Sequence, residues 1–101
     1  MPNVQELIVS AIKQRLVVTA MYQDHERIMC PHIIGYKKKV LNALFFQFAG
    51  GSKSGLPAGG QWRCIHVDDL TQVSCAPGEW HTKHDYAPSI CVDEIIAEVA
   101  L

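Results

Sequence analysis

The stretch Leu16-Val17-Val18-Thr19-Ala20-Met21-Tyr22-Gln23-Asp24-His25-Glu26-Arg27-Ile28-Met29-Cys30-Pro31-His32-Ile33-Ile34 decides the fold class. Residues 16–22 are β-branched and apolar, the composition of a strand. Gln23-Asp24-His25-Glu26 is polar and reads as a turn. Residues 27–34 then read as a second strand. Pro31 within it has no amide proton for a ladder, so it points to an edge position or a bulge. A bulge would move every later side chain to the opposite face.

The pattern before this stretch is helical. Asn3-Val4-Gln5-Glu6 reads as a capping box, in which the Asn side chain takes an orphan amide and Glu6 reaches back. Val4, Leu7, Ile8, Ala11 and Ile12 follow at helical spacing, giving one apolar stripe over about three turns. After the stretch, Gly35-Tyr36-Lys37-Lys38 reads as a turn and residues 39–49 as a long third strand whose length implies strong curvature. A loop over 50–60 contains five glycines. Residues 61–67 form a fourth strand, Asp68-Asp69-Leu70 a short 3₁₀ turn, and 71–76 a fifth strand. Pro77-Gly78 ends the regular part. The rest is an irregular tail in which Trp80 and Tyr86 pack back on the barrel, and 92–99 read more as a helix than as a strand. One helix and sequential short strands predict a mainly β fold with an N-terminal α-helix, closing into a small five-stranded β-barrel. The expected limits are about 3–14 for the helix, 16–76 for the barrel and 77–101 for the tail, all in one domain.

The chain has 101 residues, 49% of them hydrophobic and 19% charged, with net charge −1. That length suits one core, burying somewhat over ~60% of the unfolded surface. A net charge near zero argues against non-specific binding to nucleic acid or to a membrane surface. No export signal or membrane-length apolar run stands out, so a cytoplasmic chain with no membrane partner is expected. The four cysteines, Cys30, Cys64, Cys75 and Cys91, include no Cys-x-x-Cys and are expected to be reduced thiols.

The candidate ligand-binding residues are Tyr22, Arg27, His32, Gln47, Ser52, Lys53, Trp62 and Arg63. Arginine presents a planar fork that fits phosphate or carboxylate. His32 and Gln47 both donate and accept hydrogen bonds, and Tyr22 and Trp62 offer faces for stacking a ring. Ser52 and Lys53 lie in Gly50-Gly51-Ser52-Lys53-Ser54-Gly55, a loop whose backbone amides can form an anion nest. It is not a nucleotide-triphosphate loop, because Lys53 precedes the last glycine. An ordinary reading competes, in which Arg27 pairs with Glu26 or Asp24, Trp62 fills the core and His32 is a satisfied histidine. Strand alternation also puts Trp62, Cys64 and His66 on one face and Arg63, Ile65 and Val67 on the other.

Three weaker features complete the reading. Lys37-Lys38-Lys39 can attract phosphates but suits a solvated turn. Cys75, His81, His84 and Cys91 are zinc-ligand types at untypical spacing. Cys30 with His32, or Cys64 with His66, can meet on one strand face, but such cysteines are usually inert packing residues, and no orienting carboxylate is evident. A non-enzymatic module without a cofactor is therefore expected. Its partner would be an anionic, nucleotide-like small molecule or single-stranded nucleic acid. The alternative is a structural protein that forms a homo-oligomer or docks on another chain through the sheet edge and Ile95, Ile96 and Val99.

Ala11-Ile12-x-x-Arg15, the strand ending in Tyr22, then Arg27, Pro31-His32 and Gly35 resemble the opening of WYL domains. The third strand, and a fourth closing on Val67-Asp68-Asp69-Leu70, resemble them as well. Gln47, the glycine loop and Trp62-Arg63 are similar to the pattern of short, stand-alone bacterial members. The resemblance spans about residues 5–75. It implies an Sm-like (Src-homology-3-like) barrel acting as a ligand-sensing or nucleic-acid-binding module, with Tyr22, Arg27, His32, Gln47 and Arg63 as binding residues. The Trp-Tyr-Leu tripeptide of the family name is absent, and a single helix replaces the usual helix-turn-helix.

Overall fold

The structure, a computed structural model, describes residues 3–51, 55–56, 59–82 and 86–100. Helix α1 (Val4–Gln14) starts at Asn3, whose Oδ1 accepts the Glu6 amide at 2.8 Å. It ends where Arg15 turns left-handed (φ 54°) and the Leu16 amide reaches back to the Ala11 carbonyl at 2.8 Å. That long backward bond is a Schellman-type closure, which satisfies carbonyls the last turn would leave open.

Strands β1 (Val17–Tyr22), β2 (His25–Lys37), β3 (Val40–Gly50) and β4 (Gln61–His66) follow as an antiparallel meander. A 3₁₀ turn, Val67–Asp69, leads into β5 (Thr71–Ala76), which returns to β1. The first two hairpins are tighter than expected. Only Gln23-Asp24 (φ 50° and 62°) and Lys38-Lys39 (φ 49° and 68°) turn. Two successive left-handed residues match the strand twist, so β2 gains residues at both ends. A sixth strand, β6 (Glu94–Glu98), lies where a helix and irregular tail were expected. Helical spacing in 92–99 loses to the free edge of β2, which offers ladder partners from Ile33 to Tyr36.

The barrel expectation is overturned, because the six-stranded sheet is open. Its order is β4-β3-β2-β1-β5, with β6 also on β2, and β4 and β5 are not hydrogen-bonded to each other. The 3₁₀ turn separates them instead of pairing them. The long strands absorb their curvature at bulges, with register shifts between Ile28 and Met29 and between Pro31 and Ile33. The second shift lies at the proline, and it exchanges the faces of β2. Met29 and Ile34 pack in the core under α1, whereas Ile33 packs on the opposite side.

Each face of the sheet therefore has its own cover. Ile8, Ala11 and Ile12 of α1 pack with Val18, Ala20, Phe45 and Ile65. Full burial of each isoleucine contributes about 1.5–3 kcal/mol. On the other face, Ile33, Leu44, Cys91 and Val92 pack with Trp62 and Tyr86. Tyr86, Cys91 and Val92 of the returning chain thus complete a second, smaller core across the sheet from the helix, while Ala97 and Val99 join the first.

Candidate functional site

The site grows from the β2–β3 ladder. Arg27 lies opposite Gly50, which has φ 89° and would place a Cβ only 2.3 Å from the Glu26 carbonyl. Glycine there lets the Gly51 amide donate to Glu26 at 2.9 Å and folds the start of the loop over the strand end. Gln47 fixes the other side. Its Nε2 donates to the Ala49 and Gly51 carbonyls, both at 3.0 Å. That orientation turns Oε1 toward Arg27, which donates from Nη1 at 3.5 Å.

Arg27 is 2% exposed. Its Nε donates to the Tyr22 carbonyl at 3.3 Å, and its guanidinium sits 4.7 Å from the Tyr22 ring centre. Among the described residues no carboxylate pairs with it, so the Glu26 or Asp24 bridge of the competing ordinary reading is absent. Burial and the like charge of Arg63 push its guanidinium below the ordinary value. Arginine stays charged regardless. The site therefore holds a desolvated cation beside a π face and two long neutral contacts, with a second cation nearby. Arg63 itself also reaches the Gly55 carbonyl at 3.4 Å.

Four of the eight candidate residues, Tyr22, Arg27, Gln47 and Arg63, thus converge at one end of the sheet. His32 and Trp62 do not join them. Trp62 pairs with Phe46 in register, whereas Arg63 pairs with Phe45, so the two point to opposite faces. Ser52 and Lys53 lie outside the described residues.

His32 organises the second face. It is fully buried, with ring centres 4.7 Å from Trp62, 4.9 Å from Trp80 and 5.5 Å from Tyr86. Its Nδ1 meets the Cys30 carbonyl at 2.8 Å, which requires Nδ1–H as donor. Its Nε2 then accepts from the Thr82 hydroxyl at 2.8 Å, and that oxygen accepts from Trp80 Nε1 at 2.8 Å. The chain of donors runs one way and defines a neutral tautomer. Burial, chiefly, and the Arg15 charge lower the His32 pKa, against the opposing bond to Cys30.

A pH dependence follows. The folded pKa lies below the ordinary 6.5, so the unfolded chain takes up the proton first. The contribution of His32 is complete above pH 6.5 and is lost as pH falls through the folded value. Within that window the slope approaches ~1.4 kcal/mol per pH unit for one proton. Urea denaturation across pH, wild type against His32→Gln, checks this. A variant that keeps the full wild-type slope would assign the dependence to other groups.

The cysteines depart from the all-reduced expectation. Cys64 on β4 and Cys91 after the second 3₁₀ turn (Pro88–Ile90) form a disulfide with Cα atoms 5.7 Å apart. The sheet edge and the returning chain bring together two residues far apart in sequence. Neither pairing with His66 nor a Cys75–Cys91 zinc site remains open to those sulfurs. His84 lies outside the described residues, and among the described residues no group of three or more metal-ligand types forms. Cys30 Sγ receives the His81 amide at 3.3 Å, and burial pushes its thiol up, the reverse of an activated nucleophile. Lys37 is tied to the Ser89 and Ile90 carbonyls, both at 3.1 Å, so it holds the tail. Among the described residues no helix is long and apolar enough to cross a membrane.

No family model, curated protein or solved structure matches this chain. The residues that sequence reasoning missed are Thr82 and the Cys64–Cys91 pair. An exposed threonine in an irregular segment carries no sequence signal. Trp80 and Tyr86 carried one, as aromatic residues in a polar tail.

Proposed function

We propose that the chain is a non-enzymatic binding module for an anionic, nucleotide-like ligand, held by Arg27 and Arg63 beside Tyr22 and Gln47. The buried Arg27 without a carboxylate partner carries this reading. A desolvated cation is costly unless an anion accompanies it, and a ligand phosphate would replace the 3.5 Å contact to Gln47 with bidentate, charge-assisted bonds. The WYL resemblance supports the same residues, with His32 reassigned to holding the second face. Trp62 is likewise removed from ring stacking, which leaves that role to Tyr22.

Arg27→Met tests the proposal. It removes the charge but keeps an apolar stem of similar length. Replacing a buried ion pair by apolar side chains of similar volume is often neutral or stabilising, and among the described residues Arg27 has no carboxylate partner that its loss would strand. Expected is unchanged or raised thermal stability together with loss of the stabilisation that nucleoside monophosphates or inorganic phosphate give the wild type. No response to either probe in the wild type, or an equal response in Arg27→Met, would reject this site.

A second reading rests on Ile90, Ile95 and Ile96, which are 73%, 59% and 39% exposed along the returning segment, whereas Val99, expected beside them, is buried in the first core. An apolar run at a sheet edge suits a homo-oligomer or a partner chain. Light scattering across a concentration series tests the homo-oligomer. A mass that stays monomeric at every concentration counts against it.

A further inference from the structure

We infer that the Cys64–Cys91 disulfide is a site of thiol–disulfide exchange, in which an incoming thiol attacks the Cys64 sulfur and Cys91 is released into the second core. The inference is independent of the anion site and rests on an asymmetry between the two cysteines.

Cys64 lies on the edge strand β4 and is exposed. Cys91 is 0% exposed, and its carbonyl accepts from Asn42 Nδ2 at 3.2 Å. An open cleft of about 300 Å³ adjoins Cys64, lined by Leu44, Trp62, Ala87 and Ile90. A reagent can therefore approach one sulfur of the pair from solvent along an apolar wall. The other sulfur is screened by Ile33, Leu44 and Val92.

The chemistry is an exchange with no net oxidant. A thiolate R–S⁻ forms a bond to Cys64 Sγ, and the Cys64–Cys91 bond breaks. The electron pair goes to Cys91 Sγ, which takes a proton and becomes a buried thiol. With a dithiol reductant, its second thiolate attacks the mixed disulfide and releases Cys64. The products are two protein thiols and the oxidised reductant, a two-electron, two-proton transfer. With a monothiol the reaction pauses at the mixed disulfide. An excess of the monothiol holds the population at the mixed disulfide against return attack by Cys91, which is buried in the second core. The two other thiols offer no rapid shortcut. Cys30 is buried and Cys75 is half-buried against the Leu7 carbonyl, and burial raises both.

The test uses reduced glutathione as a monothiol on the folded, oxidised protein. The reaction is quenched with acid and the modified cysteine is mapped by mass spectrometry of non-reduced peptides. Expected is a glutathione adduct on Cys64 in at least about tenfold excess over Cys91, since access selects the sulfur attacked. Released Cys91 should resist iodoacetamide until denaturant is added. Comparable adducts on both cysteines, a majority on Cys91, or no adduct until the protein is unfolded would each overturn the inference.

Discussion

Breaking the Cys64–Cys91 bond is expected to lower the unfolding free energy by about 3.5 kcal/mol. The two cysteines are 27 residues apart, and closing a loop of that size removes about 12 cal/mol/K of entropy from the unfolded chain. Domains of this size have roughly 5–15 kcal/mol in total. Without the bond the folded state would therefore lose a quarter or more of its margin. The double variant Cys64→Ser with Cys91→Ala isolates the effect, because alanine leaves no hydroxyl in the second core. Urea denaturation of the oxidised wild type and this variant would show it. The melting temperature should fall by on the order of 15 °C or more. Equal midpoints would mean that the bond does not constrain the unfolded chain.

Gly35→Ala is expected to be nearly as damaging, at about 3 kcal/mol, the upper end for an overpacked site. A Cβ there would fall 2.0 Å from the Glu94 carbonyl oxygen and 2.5 Å from Val92 Cγ1. The first is backbone of β6, so no rotamer change relieves it. Either β6 shifts along β2 or it leaves. The bond from the Asp93 amide to the Tyr36 carbonyl, 2.9 Å, would go with it. Hydrogen exchange should separate the outcomes, with protection lost over 93–99 while β1 and the β2–β3 hairpin keep theirs. A Gly35→Ala protein with wild-type stability and a protected C-terminal segment would contradict this packing of β6.

Local chemistry made much of this fold legible. Asn3 and the spacing of Ile8, Ala11 and Ile12 locate α1 to within a residue, and Pro31 marks the bulge that exchanges the faces of β2. Closure is not legible in the sequence, because it depends on whether β4 meets β5, a pairing that neither strand's composition encodes. β6 is ambiguous in the sequence, because Val92, Ile95, Ile96 and Val99 also fit a helical wheel. Only the ladder offered by Ile33–Tyr36 decides between the two, and that is a long-range property. The candidate site divides in the same way. Side-chain types singled out Arg27 and Arg63 as candidates, and alternation separated Trp62 from Arg63. The environment of His32 depends on Thr82, Trp80 and Tyr86, about fifty residues onward, where no periodic pattern fixes the path.

The double use of β2 also bears on how the chain is made. Its first half is covered by β1 within a short hairpin, but its second half waits for β6, whose first residue is Glu94. On a ribosome adding about 5–20 residues per second, the interval between Lys37 and Glu94 lasts roughly 3–12 s. During that time the edge from Ile33 to Tyr36 is open to any passing strand. Nascent chains on crowded polysomes would be most vulnerable to mispairing at this edge, and a chaperone that shields one short apolar segment would protect them most.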